Sequence, residues 1–319
     1  MLLAPFCEYF EKARMMQHIK YEWNKDEYYE KNVNCDLIWN VPIYDVVHRK
    51  YAAFSSFTEA VLNPKHDPKD NSKFYRKVHG RLTGWESICL LYLFRLCGSG
   101  INYKPKVGDD PQGSHGFGNF WIDDLLRDGI IDVDKWVDEM PKKSFSDNKG
   151  YMLPMISYGL RNFIIHDVRN FLDYMYDIVF MGDEINTIQN IVEKGNGWLM
   201  SRNVRRQNFV LSAFAADLAE YFPDYVDPNS MIKLGTNAKK CAKIIKDGTR
   251  MNDEMLMARL LAVTGNINKP MDMEDVMCDF IRWINNFQSQ HHIEANNGNI
   301  FKRTKTEYEI YKQVDLSNK

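Results

Sequence analysis

Leu96-Cys97-Gly98-Ser99-Gly100-Ile101-Asn102-Tyr103, then a polar loop, then Ser114-His115-Gly116-Phe117-Gly118-Asn119-Phe120-Trp121-Ile122-Asp123-Asp124-Leu125-Leu126-Arg127-Asp128 is the stretch around which the chain is organised. Two glycine turns border helix-like apolar segments. Gly98 and Gly100 follow the apolar run that ends at Leu96, and Gly116-Phe117-Gly118 opens a helical pattern that buries Phe120, Trp121, Ile122 and Leu125. Glycines ahead of a helix let backbone N–H groups approach a phosphate closely, and the helix start adds partial positive charge. Gly98, Gly100, Gly116, Gly118 and Asn119 are therefore candidate contacts to a nucleic-acid backbone. The same glycines also suit a helix C-cap and a tight turn that bind nothing.

Working outward, Trp85 to Leu96 is the most apolar run in the chain and lacks β-branched bias, so a buried helix is expected there. Upstream, residues 7–31 mix charges with aromatics and read as helix, as does Tyr44 to Leu62. Asn63 to Asn71 carries Pro64 and Pro68 and reads as a loop. Downstream, Ile130 to Met140 is a short helix with Asp132 or Asp134 near its start. Tyr151 to Phe180 is mostly helical, with an apolar stripe through Tyr158, Leu160, Phe163, Ile164, Val168, Phe171, Leu172, Met175 and Val179. A further helix over Gly182 to Val192 is expected to close at Lys194-Gly195-Asn196-Gly197. Helix is also expected from Ser201 to Tyr221, over the lysines Lys239, Lys240, Lys243 and Lys246, from Met251 to Val263, and from Met273 to Phe287. No repeat, low-complexity block or long alternating strand is present.

The fold class that follows is mainly α, as one intertwined domain or as two lobes meeting near residues 100–120. The expected divisions are an N-terminal helical extension over 1–79, a catalytic helical domain over 80–290, and a polar tail over 291–319.

With 319 residues, 45% of them hydrophobic, the chain has material for a sizeable core. Its net charge of −2 leaves no global basic footprint, so a nucleic-acid partner requires a local patch. The six cysteines include no pair at zinc or redox spacing, which points to free thiols in a reducing compartment. The N-terminal residues are too short an apolar run for a signal peptide. No segment has the length of a membrane span. A soluble, cytoplasmic protein without a membrane partner is expected.

The eight histidines include no His-x-x-x-His frame, so neither a metal nor another cofactor is expected. No phosphate-binding glycine loop ending in Gly-Lys-Ser/Thr and no Gly-x-Ser-x-Gly elbow is present. The basic residues are more informative. Asn162, His166 and Arg169 recur at i, i+4 and i+7, on one helix face close to Arg161 and Asp167. Arg202, Arg205 and Arg206 crowd a helix start, where the dipole repels cations. That placement suggests an anion, while a solvated face paired with carboxylates is the plain alternative. Asp227 lies in Val226-Asp227-Pro228-Asn229-Ser230, a rigid turn that could aim a carboxylate into a cleft to accept a proton. The plain alternative is that Asp227 or Ser230 caps the following helix.

Phe94-Arg95-Leu96-Cys97-Gly98-Ser99-Gly100, the Gly116-Phe117-Gly118-Asn119-Phe120 turn and the span from Phe209 to Ala238 together resemble a bacteriophage family. This is the family of amino acid:DNA transferases and α-glutamyl/putrescinyl-thymine pyrophosphorylases, itself similar in fold to helix-hairpin-helix DNA glycosylases. The resemblance covers roughly residues 80–245. It departs from the glycosylases at Ile122, where their hairpins carry a small residue, and at Asp227, which lies far downstream of the hairpin.

The resemblance implies thymine hypermodification of phage DNA. An amine from an amino acid or polyamine displaces pyrophosphate from a pyrophosphorylated 5-hydroxymethyluracil base in double-stranded DNA. Such chemistry needs an extruded base on aromatic walls, a role for Trp121. It needs cations for the leaving pyrophosphate, for which Arg169, Arg202, Arg205, Arg206, Lys239 and Lys240 are candidates. It also needs a proton acceptor beside the amine, so Asp227, His166 and Arg161 are the candidate catalytic residues. A DNA glycosylase acting on modified or damaged bases, or a non-catalytic helical nucleic-acid-binding protein, are the competing readings.

Overall fold

The computed structural model describes residues 3–21, 47–49, 58, 62, 82–97, 125–128, 130–139 and 162–281. These residues are mainly helical. They divide into two compact units, one formed by Ala52–Ile232 and the other by Met1–Tyr51 with Lys233–Lys319. The division is not linear in sequence, unlike the expected segments 1–79, 80–290 and 291–319.

In the Ala52–Ile232 unit, the expected buried helix is α2 (Gly84–Cys97), α1 being Leu3–Tyr21 in the other unit. A reciprocal cap starts α2. The Thr83 amide donates to Glu86 Oε2 at 2.8 Å, and the Glu86 amide donates back to Thr83 Oγ1 at 3.3 Å. This satisfies two amides that the first helical turn leaves open. Ser87 to Leu96 are all buried, which makes α2 apolar on every side and places it in the core. The Tyr92 ring lies 4.8 Å from Phe171 and 5.7 Å from Phe214, and its hydroxyl donates to Gln207 Oε1 at 2.7 Å. One turn on, buried Arg95 grips buried Asp217 with two bonds of 2.6 and 2.7 Å.

Next comes a two-strand antiparallel hairpin, β1 (Leu126–Arg127) and β2 (Ile130–Ile131), which leads into α3 (Val133–Glu139). The helix expected from Ile130 therefore begins three residues later. Asp132 caps it, accepting the Lys135 amide at 2.9 Å. A π-helical turn (Phe163–Asp167) then runs into α4 (Val168–Phe180), and the anticipated stripe is buried from Phe163 to Val179, its first members Tyr158 and Leu160 lying outside the described residues.

Helix α5 corrects the sequence reading. It spans Ile188–Ser201 and passes straight through the glycines expected to end a helix. Gly195 is there for close packing. A Cβ on it would stand 3.0 Å from Leu211 Cδ1, on the helix α6 (Asn208–Tyr221) that packs against α5. The α5–α6 connection is residues 202–207, so the segment from Ser201 is not helical until Asn208. Contacts of Gly195 with Leu211 and of Asn196 with Asn208, near the joined ends, make this pair an antiparallel hairpin. Trp198 with Phe171, and Gly195 with Met175, make α4 antiparallel to α5 as well. Short parallel strands β3 (Asn186–Thr187) and β4 (Val226–Asp227) pair Asn186 with Val226 and Thr187 with Asp227 at the start of α5.

In the other unit, α1 sets Phe6 and Tyr9 against Phe280, with ring centroids 5.3 and 5.4 Å apart. Phe280 belongs to a helix over residues 270–281. Helices α7 (Thr236–Lys246) and α8 (Asp253–Val263) precede it. The helix expected over Tyr44–Leu62 does not include Val47 and His48, which form a bend, whereas Arg49 is in a 3-10 turn and Thr58 and Leu62 are helical. Side chains hold that bend. Gln17 Oε1 accepts the Val47 and His48 amides at 3.0 and 2.9 Å, and Asp272 Oδ1 accepts the Arg49 amide at 2.7 Å.

Candidate nucleic-acid interface

Arg161, Gly98, Gly100, Gly116, Gly118, Asn119 and Trp121 lie outside the described residues. The remaining candidates sort by helix direction. Because α4 and α6 both run antiparallel to α5, one end of this three-helix set gathers the start of α4, the end of α5 and the start of α6. His166, Arg169, Arg202, Arg205 and Arg206 all belong to that end. All five are exposed.

Its centre is Trp198. The indole packs on Phe171 at 5.2 Å, Tyr174 at 6.2 Å and Phe163 at 6.3 Å, tying α5 to α4 and the π-helical turn. The Arg202 guanidinium lies 5.3 Å from the Trp198 ring centroid, a cation–π arrangement set by i, i+4 spacing. Arg202 is the C-cap of α5, not part of a helix start. A cation is favoured there by the dipole, so Arg202 loses the electrostatic argument for a bound anion that its position was expected to supply.

Arg205 and Arg206 keep that argument in part. They immediately precede α6, whose N-cap, Gln207, makes no side-chain cap bond and whose first turn holds no acid. Arg206 Nε donates to Met200 Sδ at 3.0 Å. Half-exposed Met200 and Phe209 flank the arginines. The turn between the helices is closed by Asn203 at φ 59°, with the Val204 amide donating to the Leu199 carbonyl at 2.9 Å. Arg169 is anchored from the side, its Nη1 donating to Asp134 Oδ2 at 2.7 Å. That hydrogen bond and the Asp134 charge raise the Arg169 pKa above its ordinary value.

Asp227 lies elsewhere. It pairs with Thr187, the N-cap of α5, whereas Arg202 closes the other end of the same 14-residue helix. At 1.5 Å per residue the two ends are about 20 Å apart. The Asp227 carboxylate accepts the Asn229 amide at 2.9 Å, an Asx turn. Its carbonyl accepts the Ser230 hydroxyl at 2.7 Å, and Ser230 Oγ in turn accepts the Ile188 amide at 3.0 Å. The turn thus secures the start of α5, a helix behind it in sequence, and not the one that follows. Asp227 and the Arg202, Arg205 and Arg206 group therefore lie at opposite ends of α5. Lys239 and Lys240 belong to the other unit, on α7.

Sequence reasoning missed Trp198, Met200 and the exposure of Phe209. The Trp198-to-Arg202 spacing carried the signal. It was obscured because Gly195 and Gly197 read as a helix stop, which left Trp198 without a helix to sit on.

Elsewhere, burial pushes the Cys89 and Cys241 thiols well above the ordinary range, so neither is a poised nucleophile. Among the described residues no group of three or more His, Cys, Asp or Glu is arranged to hold a metal. None of the described helices is long and apolar enough to cross a membrane.

The chain matches no family model, no curated protein and no solved structure. The geometry of the α4–α5–α6 end therefore carries the functional argument. It offers exposed guanidinium groups, one of them stacked on Trp198, with an exposed imidazole and the half-exposed Phe209 ring. Guanidinium forks suit phosphate oxygens, and aromatic faces suit bases.

Proposed function

We propose that the chain is a transferase acting on modified bases in DNA, built on a helical scaffold of the helix-hairpin-helix glycosylase kind. It displaces pyrophosphate from a pyrophosphorylated 5-hydroxymethyluracil with an amine supplied by an amino acid or polyamine. The observation that carries this reading is the gathering of Arg202 on Trp198 with Arg205, Arg206, Arg169 and His166 at one end of the α4–α5–α6 set. The resemblance of the segments around Gly98 and Gly116 supports it.

The amine nitrogen attacks the methylene carbon of the base substituent. The carbon–oxygen bond to pyrophosphate breaks, and its electron pair leaves with the pyrophosphate oxygen. Arg202, Arg205 and Arg206 offset the charge of the departing group. The attacking nitrogen sheds a proton to His166 in this reading. Trp121 is the expected stacking partner of the extruded base. Asp227 takes no part, being at the far end of α5, and the lysines of α7 are not needed at this end.

The test is incubation with DNA carrying the pyrophosphorylated base and a pool of amino acids and polyamines. Released pyrophosphate and enlarged nucleosides, read by mass spectrometry, are expected. Abasic sites in place of enlarged nucleosides would replace this reading with a glycosylase. DNA binding with neither product, across all amines supplied, would leave only a binding protein.

A further inference from the structure

Residues 233–250 hold six basic side chains, Lys233, Lys239, Lys240, Lys243, Lys246 and Arg250, against one acid, Asp247, in a chain whose net charge is −2. Four of these lysines lie on α7. The helix buries its other face through Ala238, Cys241, Ala242, Ile244 and Ile245, so its orientation in the unit is set by packing. Lys233, Lys239, Lys243 and Arg250 are exposed, and Lys240 and Lys246 are half-buried.

Like charges crowd within this short helix. Lys239 and Lys243 are at i, i+4, while Lys240 and Lys243, like Lys243 and Lys246, are at i, i+3. Like charges at such spacings disfavour a helix. Lys239 sits in the first turn, which has no acid of its own, although Glu274 Oε1 accepts the N-cap Gly235 amide at that end at 2.8 Å, while Lys243 and Lys246 lie in the last turn, where the dipole favours cations. Lys246 is relieved by Asp253 of α8.

We infer that the lysine face of α7 is a second contact surface, for the phosphate backbone of duplex DNA, carried by the other unit from the one that holds the arginines. From Lys239 to Lys246 the helix rises about 10 Å. That is the axial length of about three successive phosphates on one strand. Ammonium groups on long stems suit such a row as point charges, without base readout. The surface therefore supplies affinity and no sequence preference, and it goes beyond the transfer chemistry proposed above.

Binding of the full chain to unmodified duplex DNA, measured over a series of salt concentrations, tests this. Such DNA has no leaving group, so the result is independent of whether transfer occurs. Lys239→Gln with Lys243→Gln should weaken binding about tenfold and reduce the slope of log affinity against log salt by about two. Lys239→Arg with Lys243→Arg should keep both. Binding by the unaltered chain that ignores salt, or an unchanged slope in a glutamine variant that melts like the parent, would overturn the inference. So would tighter binding to vesicles of anionic lipid than to DNA.

Discussion

At the residue scale, two glycines on one helix separate packing from propensity. A methyl group on Gly197 would meet nothing within 4 Å, whereas one on Gly195 would meet Leu211 at 3.0 Å. Alanine in a helix interior is favoured over glycine by about 1 kcal/mol. Gly197→Ala should therefore raise stability by about 0.5–1 kcal/mol in urea unfolding. Gly195→Ala gains the same term, but it must push aside a fully buried leucine, and overpacking costs about 1–3 kcal/mol. Its midpoint should fall. The buried Arg95–Asp217 pair gives a larger effect. Asp217→Asn leaves a guanidinium in the core without its counter-charge, at a cost of about 3–5 kcal/mol. Calorimetric melting should register this as a large drop in Tm.

At the element scale, α5 is the ruler of the candidate site. Its end carries Arg202 and its start adjoins Asp227. Arg202→Ala with Arg206→Ala should lower pyrophosphate release about 100-fold, the size of effect seen when charge-stabilising donors are removed. Asp227→Ala should leave the rate of release unchanged, while loosening the turn that holds the start of α5. Rates from both variants, each checked for folding by circular dichroism, decide the point: a loss confined to Asp227→Ala would reverse the assignment. Helix caps show how much of this scale is local. Thr83 with Glu86, Asp132 with Lys135, and Asn252 with Met255 are short sequence signals that start α2, α3 and α8.

At the scale of the whole molecule, the unit containing α1, α7 and α8 carries carboxylates whose shifts oppose each other. Burial pushes Asp272 up, but the His48 imidazole and the Arg49 and Lys269 amides outweigh it, leaving its pKa below the ordinary value. Stability from Asp272 is thus present above its unfolded pKa of about 3.9 and lost as pH falls through the lower folded value. For Asp275, burial dominates. Arg49 draws its pKa down, but Glu274, Asp279 and Asp272 add to the rise, so the carboxyl titrates well above the ordinary range. Stability from Asp275 is full below about 3.9 and is lost as pH rises through the raised folded value. Melting temperature against pH should fall on both sides. Asp275→Asn, which keeps an acceptor for Arg49, should flatten the fall on the higher-pH side and leave the acid side in place.

What could be read from the chain alone was whatever depends on near neighbours. The stripe from Phe163 to Val179, the all-apolar α2 and the lysine face of α7 follow from side chains three and four residues apart, because one helix turn sets which of them share a face. Tertiary structure alone decided what depends on residues far apart. It made Gly195 a packing contact instead of a helix stop, joined Arg95 to Asp217, and put Asp227 and Arg202 at opposite ends of one helix. The reason is physical: periodicity fixes which face of a helix is buried, but the direction in which the next helix packs decides which distant side chains meet.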